Sequence, residues 1–157
     1  MADIVEVPLS QGLVAIVDAA DGEAVLMHRW HAQRKRNTYY AARNVRRPDG
    51  TYRLQFLHTF LAGYGMTDHI NRDGLDNRRA NLREATNVEN QRNRPRAAHG
   101  GTGFKGVSQT SKKRWQARIA HSGRQWRLGY FDDPESAARA YDKAAREHHG
   151  EFAMTNF

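Results

Sequence analysis

The chain has 157 residues, and 25 Lys and Arg against 17 Asp and Glu give it a net charge of +8 at pH 7. An excess of that sign favours polyanionic partners, which include nucleic acids and anionic membrane surfaces. Because there is no cysteine, disulfides, thiolate metal sites and a cysteine nucleophile are excluded, and any metal must be held by His, Asp, Glu or Asn. No apolar run approaches the roughly 20 residues of a membrane span, and the first residues lack the pattern of a signal peptide. We therefore expect a cytoplasmic protein that makes no membrane contact.

Residues 1–57 predict a β-rich scaffold. Apolar positions alternate over Ile4–Val17. Asp18–Trp30 then predicts a helix whose inward side chains are Val25, Leu26 and Trp30. Two runs of strand-forming residues follow, Thr38–Val45 and Thr51–Leu57. A Pro-Asp-Gly turn lies between them, which predicts a β-hairpin.

The Pro- and Gly-rich residues 95–103 predict a connector between two modules, which we place at 58–94 and 104–157. The chain from Gln91 to Tyr130 contains no Asp or Glu, which predicts a surface for a polyanion. Its ten basic residues are Arg92, Arg94, Arg96, Lys105, Lys112, Lys113, Arg114, Arg118, Arg124 and Arg127.

The second module predicts three strands and one helix. Trp115, Ala117 and Ile119 alternate along one strand face, where they can pack on a helix. That helix is expected to begin at Asp133 as N-cap with Pro134 in its first turn, and to stop near Gly150. The overall fold class predicted for the chain is α+β.

A carboxylate and an imidazole stand side by side at Asp68 and His69 in the first module. Thr86 and Glu89 form the T-x-x-E pattern of a helix start, so Asn90 falls one turn into that helix. A strand carrying Asp68, a short strand near residues 82–85 and this helix can bring two oxygen ligands together. Oxygen ligands of this kind suit Mg²⁺, or Mn²⁺, completed by water and phosphate. His69 points away from Asp68 and is available as a general base.

The stretch from His58 to Arg94 resembles the HNH homing endonucleases of phages and mobile introns. The matching points in this sequence are Asp68-His69-Ile70-Asn71, Asp76-Asn77-Arg78, Asn81-Leu82-Arg83, Thr86 and Glu89-Asn90. The resemblance implies a ββα-metal motif. It also implies that His69 is the base, that Asp68 and Asn90 hold the metal, and that the amide of Asn81 braces the metal-binding loop.

Two positions depart from the family pattern. Asn90 replaces the last His, and an amide oxygen can also bind Mg²⁺; Thr59 follows His58 where the family usually has Arg. An isolated His beside an Asp is more often a surface pair, but the linked motif points favour a catalytic site here. We interpret His58 as structural, because nothing in its spacing gives it a task.

The second module resembles an AP2 domain nearly from end to end. The segments that carry the resemblance are Phe104-Lys-Gly-Val107, Arg114-Trp-Gln-Ala-Arg-Ile119, Arg127-Leu-Gly-Tyr-Phe131 and Ala137-Ala-Arg-Ala-Tyr-Asp142. The resemblance implies a three-stranded sheet that enters the DNA major groove. Lys105 stands at a family Arg position, whereas Ser108 and Arg127 replace a family Arg and a base-contacting Trp. These departures indicate a different target sequence.

Strand alternation and the basic stretch predict the DNA contacts. The exposed sheet face is expected to carry Gln116, Arg118, Gln125 and Arg127, and the aromatic residues Phe104, Trp115, Tyr130 and Phe131 are expected to pack in the core. Further DNA-binding candidates are Lys105, Lys112, Lys113, Arg114, Arg78 and Arg83.

These observations predict a metal-dependent endonuclease of double-stranded DNA that uses no small-molecule cofactor, in a bacterial host or a phage-infected cell. The alternative is a non-catalytic DNA-binding regulator in which the HNH fold survives as a second DNA clamp. Intact Asp68, His69 and Asn90 favour the enzyme. A basic RNA-binding or membrane-surface protein is the third reading, and net charge alone supports it.

Overall fold

The computed structural model describes residues 3–35, 38–63, 65–93 and 102–157. The protein is α+β, with several small antiparallel sheets and few helices, as the sequence predicts. It divides into two compact units, Met1–Asn87 and Val88–Phe157. None of the helices in the described residues is long and apolar enough to span a membrane. Most of the predicted connector, including Arg96, lies outside the described residues, and so does Arg94 just before it.

The first unit is built from short helices and small antiparallel sheets. Its elements are β1 (Ile4–Pro8), β2 (Val14–Asp18), α1 (Ala19–Leu26), β3 (His31–Lys35), β4 (Thr38–Arg46), β5 (Tyr52–Phe56), α2 (Leu57–Ala62), β6 (Thr67–His69) and β7 (Leu82–Glu84). β1 pairs with β2, β4 lies between β3 and β5, and β6 pairs with β7. A further helix, α3 (Asn87–Arg92), begins at the last residue of this unit.

The N-terminal predictions are partly confirmed. The alternating run at residues 4–17 forms β1 and β2, the hairpin forms as β4 and β5, and Val25 and Trp30 are buried. The predicted inward position of Leu26 is wrong: α1 ends at this residue, and 54% of Leu26 is exposed. β3 was not predicted, because its polar sequence lacks apolar alternation.

The N-terminal strands hold the segment that follows β6. The amide of Ile16 in β2 donates to the carbonyl of Leu75 at 2.9 Å, and the amide of Asn77 donates to the carbonyl of Ile16 at 2.8 Å. β2 is itself anchored in the core by Ala15 and Val17, which are fully buried. The first sheet therefore fixes the backbone of the loop that carries the HNH-like residues.

The second unit is a three-stranded antiparallel sheet packed on one helix. Its elements are β8 (Val107–Gln109), β9 (Trp115–His121), β10 (Arg124–Phe131) and α4 (Pro134–His149), and β9 is the central strand. Ala117 and Ile119 are buried against α4, as strand alternation predicts. The predicted N-cap is also confirmed, since Asp133 Oδ1 accepts a hydrogen bond from the Ser136 amide at 2.7 Å.

The end of the chain is fastened to α4 by a buried carboxylate. Asp142, which is 2% exposed, accepts hydrogen bonds from the backbone amides of Asn156 at 2.8 Å and Phe157 at 2.9 Å. The Asn156 side chain in turn accepts from the amide of Lys105 at 2.6 Å. This chain of contacts links the start of the sheet, the helix and the C-terminal residues. The buried side chain of Asp142 thereby has hydrogen-bond partners, without which its burial would be costly.

A β-bulge interrupts the pairing of β10 with β9. Arg127 pairs with Arg118, but Gly129 pairs with Ala117, so Leu128 is an extra residue. The bulge reverses the alternation along the rest of β10. Tyr130 therefore lies opposite Gln116, and Phe131 lies opposite Trp115.

Burial makes the protonation of His149 unfavourable at the end of α4. The residue is 7% exposed, and its Nε2 lies 2.9 Å from the carbonyl oxygen of Ala120. Desolvation is the largest effect and lowers the pKa of His149, whereas the hydrogen bond to Ala120 raises it. The pKa is lowered further by three nearby groups, Arg92, Lys105 and His121. The folded unit therefore favours the neutral ring.

We predict that the second unit loses stability as the pH falls below about 6.5, the ordinary pKa of histidine, because the unfolded chain then binds a proton that folded His149 resists. His149→Gln keeps a donor for Ala120 but does not titrate, so its melting temperature should fall less between roughly pH 7.5 and 5. Thermal melts of the full chain measure the difference. His148→Gln, at an exposed neighbour, is the matched control and should behave as the wild type. Equal pH dependence in both variants would contradict this prediction.

Candidate functional site

The strand pair β6–β7 places Asp68 directly opposite Arg83, and His69 opposite Leu82. Successive side chains of a strand point to opposite faces, so Asp68 and His69 face apart. The Asp68 carboxylate is held by Arg83, whose Nη2 and Nε lie 2.7 and 3.0 Å from Oδ2. Both side chains are about nine-tenths buried, at 12% and 11% exposure. Arg83, which was predicted to contact DNA, thus forms an ion pair with Asp68, the proposed metal ligand.

His69 is 5% exposed and has a defined orientation. Its Nε2 lies 3.4 Å from Oδ1 of Asn77. The Asn77 amide nitrogen donates to the carbonyl of Leu75 at 3.1 Å, which fixes the amide with its oxygen toward the imidazole. In the neutral ring Nε2 therefore carries the proton, and Nδ1 has the lone pair.

The electrostatic environment keeps His69 uncharged. Desolvation by burial lowers the pKa of His69, and it outweighs the raising effects of the Asn77 hydrogen bond and of Asp68, Asp73 and Asp76. A neutral imidazole, with one ring nitrogen unprotonated, is the form that can accept a proton near pH 7.

Aromatic rings enclose the other side of His69. The ring centroids of Tyr40 and His58 lie 5.7 and 5.0 Å from that of His69, and Phe56 stacks on His58 at 5.3 Å. Burial, followed by the nearby His69, lowers the pKa of His58 to about 3, so His58 is neutral as well. Sequence alone does not indicate this contact, because β4 and α2 bring together residues that are distant along the chain.

The amide of Asn81 bridges the loop between β6 and β7. Its Nδ2 donates to the Asp76 carbonyl at 2.7 Å and to Asn71 Oδ1 at 2.9 Å, and its Oδ1 accepts from the Asn71 amide at 2.9 Å. Asn81 is 8% exposed, so these contacts lie in the interior of the unit. One side chain thus joins Asn71 to the backbone of Asp76 within this loop.

Asp76 and Arg78 form a second ion pair in this loop. Arg78 Nε and Nη2 donate to Asp76 Oδ1 and Oδ2 at 2.8 and 2.7 Å, and these bonds lower the pKa of the Asp76 carboxyl. Arg78 keeps 42% of its side chain exposed, so it can also contact a phosphate. Asp76 and Asn77 lie within the HNH-like motif, but the motif alone predicts no role for either residue.

Asp68 and Asn90 differ in their surroundings. Asp68 belongs to the first unit, whereas Asn90 lies half-buried in α3, in the second unit. Asp68 offers a carboxylate oxygen and Asn90 offers an amide oxygen, and Mg²⁺ and Mn²⁺ prefer oxygen ligands of both kinds. Within residues 3–35, 38–63, 65–93 and 102–157, no group of three His, Cys, Asp or Glu is placed to hold a metal ion.

The sheet face turned away from α4 carries two arginines directly opposite each other, Arg118 and Arg127. Gln116 shares this face but is only 3% exposed, and its Oε1 accepts from Arg118 Nε at 2.6 Å. The expectation that Gln116 is exposed is wrong, since its side chain is buried and hydrogen-bonded to Arg118. Gln125 and Arg127 are exposed as predicted.

Tyr130 also lies on this face, with 46% of the residue exposed. Its hydroxyl accepts from Arg127 Nη1 at 3.1 Å, and the guanidinium carbon lies 5.4 Å from the ring centroid. The prediction that Tyr130 packs in the core is therefore wrong, whereas Phe104, Trp115 and Phe131 do pack against the core. The bulge at Leu128 accounts for the opposite positions of Tyr130 and Phe131.

The remaining basic candidates of this unit occupy different positions. Lys112 and Lys113 are exposed in the turn between β8 and β9. Arg114 pairs with Asp132 at 3.1 Å, where both side chains are exposed. Lys105 is half-buried, and its ammonium donates to the carbonyl of Arg92.

Comparison with models of known protein families gives no match for this chain. An uncharacterized HNH endonuclease of Acanthamoeba polyphaga mimivirus is 33% identical over 89 residues, which are 57% of this chain and 46% of the relative. An AP2/ERF and B3 domain-containing protein of Oryza sativa subsp. japonica is 47% identical over 62 residues, 39% of this chain and 17% of the relative. An ethylene-responsive transcription factor of Arabidopsis thaliana is 50% identical over 58 residues, 35% of this chain and 22% of the relative.

The chain therefore combines similarity to an HNH endonuclease with similarity to AP2/ERF domain proteins, and the combination predicted from the motifs is confirmed. In each case the similarity spans less than half the length of the relative.

We predict that Gly74→Ala disrupts the loop next to His69. A Cβ at residue 74 would lie 2.4 Å from the Tyr39 carbonyl oxygen and 2.6 Å from the Tyr40 ring, so β4 or the loop must move. Overpacking of this kind costs about 1–3 kcal/mol or more, and thermal unfolding measures it. Gly65→Ala is the matched control, because a Cβ there meets nothing within 4 Å. Equal stability of the two variants would show that the loop does not pack against β4 in solution.

Proposed function

We propose that this protein is a metal-dependent HNH-type endonuclease that hydrolyses phosphodiester bonds in double-stranded DNA. The observation that carries the proposal is the buried, neutral His69, which Asn77 orients and which follows Asp68 directly in β6. The similarity to a viral HNH endonuclease supports the same chemistry. The pair β6–β7 followed by α3 has the element order of a ββα-metal motif.

In the proposed mechanism His69 accepts a proton from the attacking water at Nδ1, while Asn77 holds the opposite nitrogen. Asp68 and Asn90 would hold a Mg²⁺ or Mn²⁺ ion, which when bound supplies charge stabilisation at the scissile phosphate. Arg83 orients Asp68 through its two contacts to Oδ2. Asn81 keeps the intervening loop in place through its bonds to Asp76 and Asn71.

The regulator alternative differs from this proposal in one measurable respect, since it requires DNA binding without turnover. An ethylene-responsive transcription factor among the relatives gives that alternative its support. A cleavage assay separates the two, because the enzyme hydrolyses DNA whereas the regulator only binds it.

We predict that the protein nicks or linearises supercoiled plasmid with Mg²⁺ or Mn²⁺ and that EDTA abolishes the reaction. His69→Ala should lower the rate by roughly 10²–10⁴-fold, the usual contribution of a general base, and should retain metal and DNA affinity. Asp68→Ala and Asn90→Ala should lose metal binding, which calorimetry with Mn²⁺ measures. Gel analysis of the plasmid follows cleavage. Full cleavage in EDTA would disprove the metal assignment, and equal loss of metal binding in all three variants would disprove the role of His69.

The sheet of the second unit is proposed to position the DNA. Arg118 and Arg127 are the candidates for base contact, because they lie together on the open face and each has a neighbour that orients it. Arginine can read guanine with two hydrogen bonds in the major groove. Lys112 and Lys113 are exposed in a turn and are better placed for phosphates.

We predict two separable classes of variants in the second unit. Lys112→Ala or Lys113→Ala should weaken binding equally on all sequences and lower the salt slope by roughly 0.9 for each lost phosphate contact. Arg118→Ala or Arg127→Ala should cost about 1–3 kcal/mol on the preferred site and much less on random DNA. Fluorescence anisotropy at several salt concentrations measures both effects. If the arginine variants lose affinity uniformly across sequences, the sheet acts only as an electrostatic anchor.

A further inference from the structure

The outer half of the β4–β5 hairpin, residues 44–54, extends from the first unit; we call it the β4–β5 arm. Each of its residues is exposed except Val45, which is half-buried. By contrast, Ala41 and Ala42 near the base of the same hairpin are 1% and 0% exposed. The arm even exposes large side chains, with Tyr52 at 66% and Leu54 at 39%. A hairpin that is open on both faces contributes little to the core, so packing does not explain its length.

The arm is strongly basic. It carries Arg46, Arg47 and Arg53, and its one acidic residue is Asp49. Asp49 is engaged in the turn, where Oδ1 accepts from the Thr51 amide at 2.9 Å and from the Thr51 hydroxyl at 2.6 Å. The arginines therefore present a positive surface that the arm itself does not neutralise.

The sequence around the arm has the same bias. From Ala24 to Thr67, Asp49 is the only Asp or Glu, against eight basic residues: Arg29, Arg34, Lys35, Arg36, Arg43, Arg46, Arg47 and Arg53. Arg43 at the base of the hairpin is affected by this concentration of charge: burial and the positive charge of Arg53 both lower its pKa. A multiply charged anion would relieve repulsion of this kind.

The shape of the arm restricts the partner. Its two strands are antiparallel, with Asn44 opposite Leu54, Val45 opposite Arg53 and Arg46 opposite Tyr52. A two-stranded ribbon fits the major groove of B-form DNA, which is about 12 Å wide. The face that carries Asn44, Arg46, Tyr52 and Leu54 combines hydrogen-bonding groups with an apolar side chain, as contact with base edges and thymine methyl groups requires.

We propose that the β4–β5 arm is a second DNA-binding element, which inserts into the major groove with the face of Asn44, Arg46, Tyr52 and Leu54 toward the bases. Arg47 at the turn and Arg53 on the opposite face contact phosphates. The inference deepens the proposed function, because it assumes that the substrate is double-stranded DNA. It gives the first unit its own contact with DNA, independent of the sheet in the second unit.

The test uses the full chain with His69→Ala, so that the probe is not cleaved. Anisotropy titrations with a fluorescent duplex of mixed sequence at several NaCl concentrations give the salt slope. Arg47→Ala and Arg53→Ala should each lower that slope by roughly 0.9 and weaken binding. Arg47→Lys and Arg53→Lys keep the charge and are the matched controls, with slopes close to that of the parent. An unchanged slope in the Arg47→Ala/Arg53→Ala double variant would overturn the proposal.

Selection of bound duplexes from a randomised library tests the proposed orientation. Asn44→Ala/Tyr52→Ala should lose base preference over one continuous block of the recovered site and keep it elsewhere. Unaltered preferences across the whole site would show that this face does not read bases. Sedimentation should also be unchanged in these variants; a shift from dimer to monomer would identify the arm as a surface for a second copy and overturn the proposal.

The two hypotheses fail in different ways. If the parent chain binds no duplex at all, both the proposed endonuclease and the arm are disproved. If the parent binds and the unmodified protein cleaves plasmid while the arm variants behave as the parent, only the arm is disproved.

Discussion

The geometry of the first unit depends on two buried amide side chains, Asn77 and Asn81. Both make hydrogen bonds within the loop between β6 and β7. Asn77 is fully buried and Asn81 is 8% exposed, so each polar atom left without a partner would destabilise the fold. Asn81 satisfies this requirement by joining Asn71 to the Asp76 carbonyl, and Asn77 by joining the loop carbonyls to His69. Because partly satisfied polar networks are unfavourable, the arrangement tends to form as a whole.

The N-terminal strands extend this network. The carbonyl of Ile16 accepts a hydrogen bond from the amide of Asn77, and the amide of Ile16 donates to the carbonyl of Leu75. These bonds join β2 to the loop, although the two segments are separated along the chain by more than half the residues of the unit. Tyr39 and Tyr40 close the other side of the loop at Gly74. The residues that first look like a scaffold therefore hold the imidazole of His69 in place.

Several features of the fold could be predicted because they depend on local chemistry. Asp133 and Pro134 mark the start of α4, and the alternation of Trp115, Ala117 and Ile119 identifies the packed face of β9. Tyr130 could not be placed correctly, because a β-bulge leaves no clear signal in the sequence and one extra residue moves every later side chain to the other face.

The candidate site shows the same limit of sequence reasoning. The motif locates Asp68, His69 and Asn81, but it does not show that Arg83 lies on Asp68, or that His58 and Tyr40 lie against His69. Those contacts depend on strand register and on elements that are distant along the chain. Ionic partners are difficult to infer from sequence, since any of several arginines in the segment could have paired with Asp68.

The bulge at Leu128 also affects how this protein can evolve. It places Arg127 and Tyr130 on the solvent side, while Leu128 and Phe131 stay in contact with the core. Mutations at positions 127 and 130 can thus accumulate with little effect on packing, so the surface can diversify among descendants that keep the same fold. Residues 128 and 131 are constrained instead, because replacing either of them would destabilise the core. Selection on stability, and not on DNA recognition, would remove such changes.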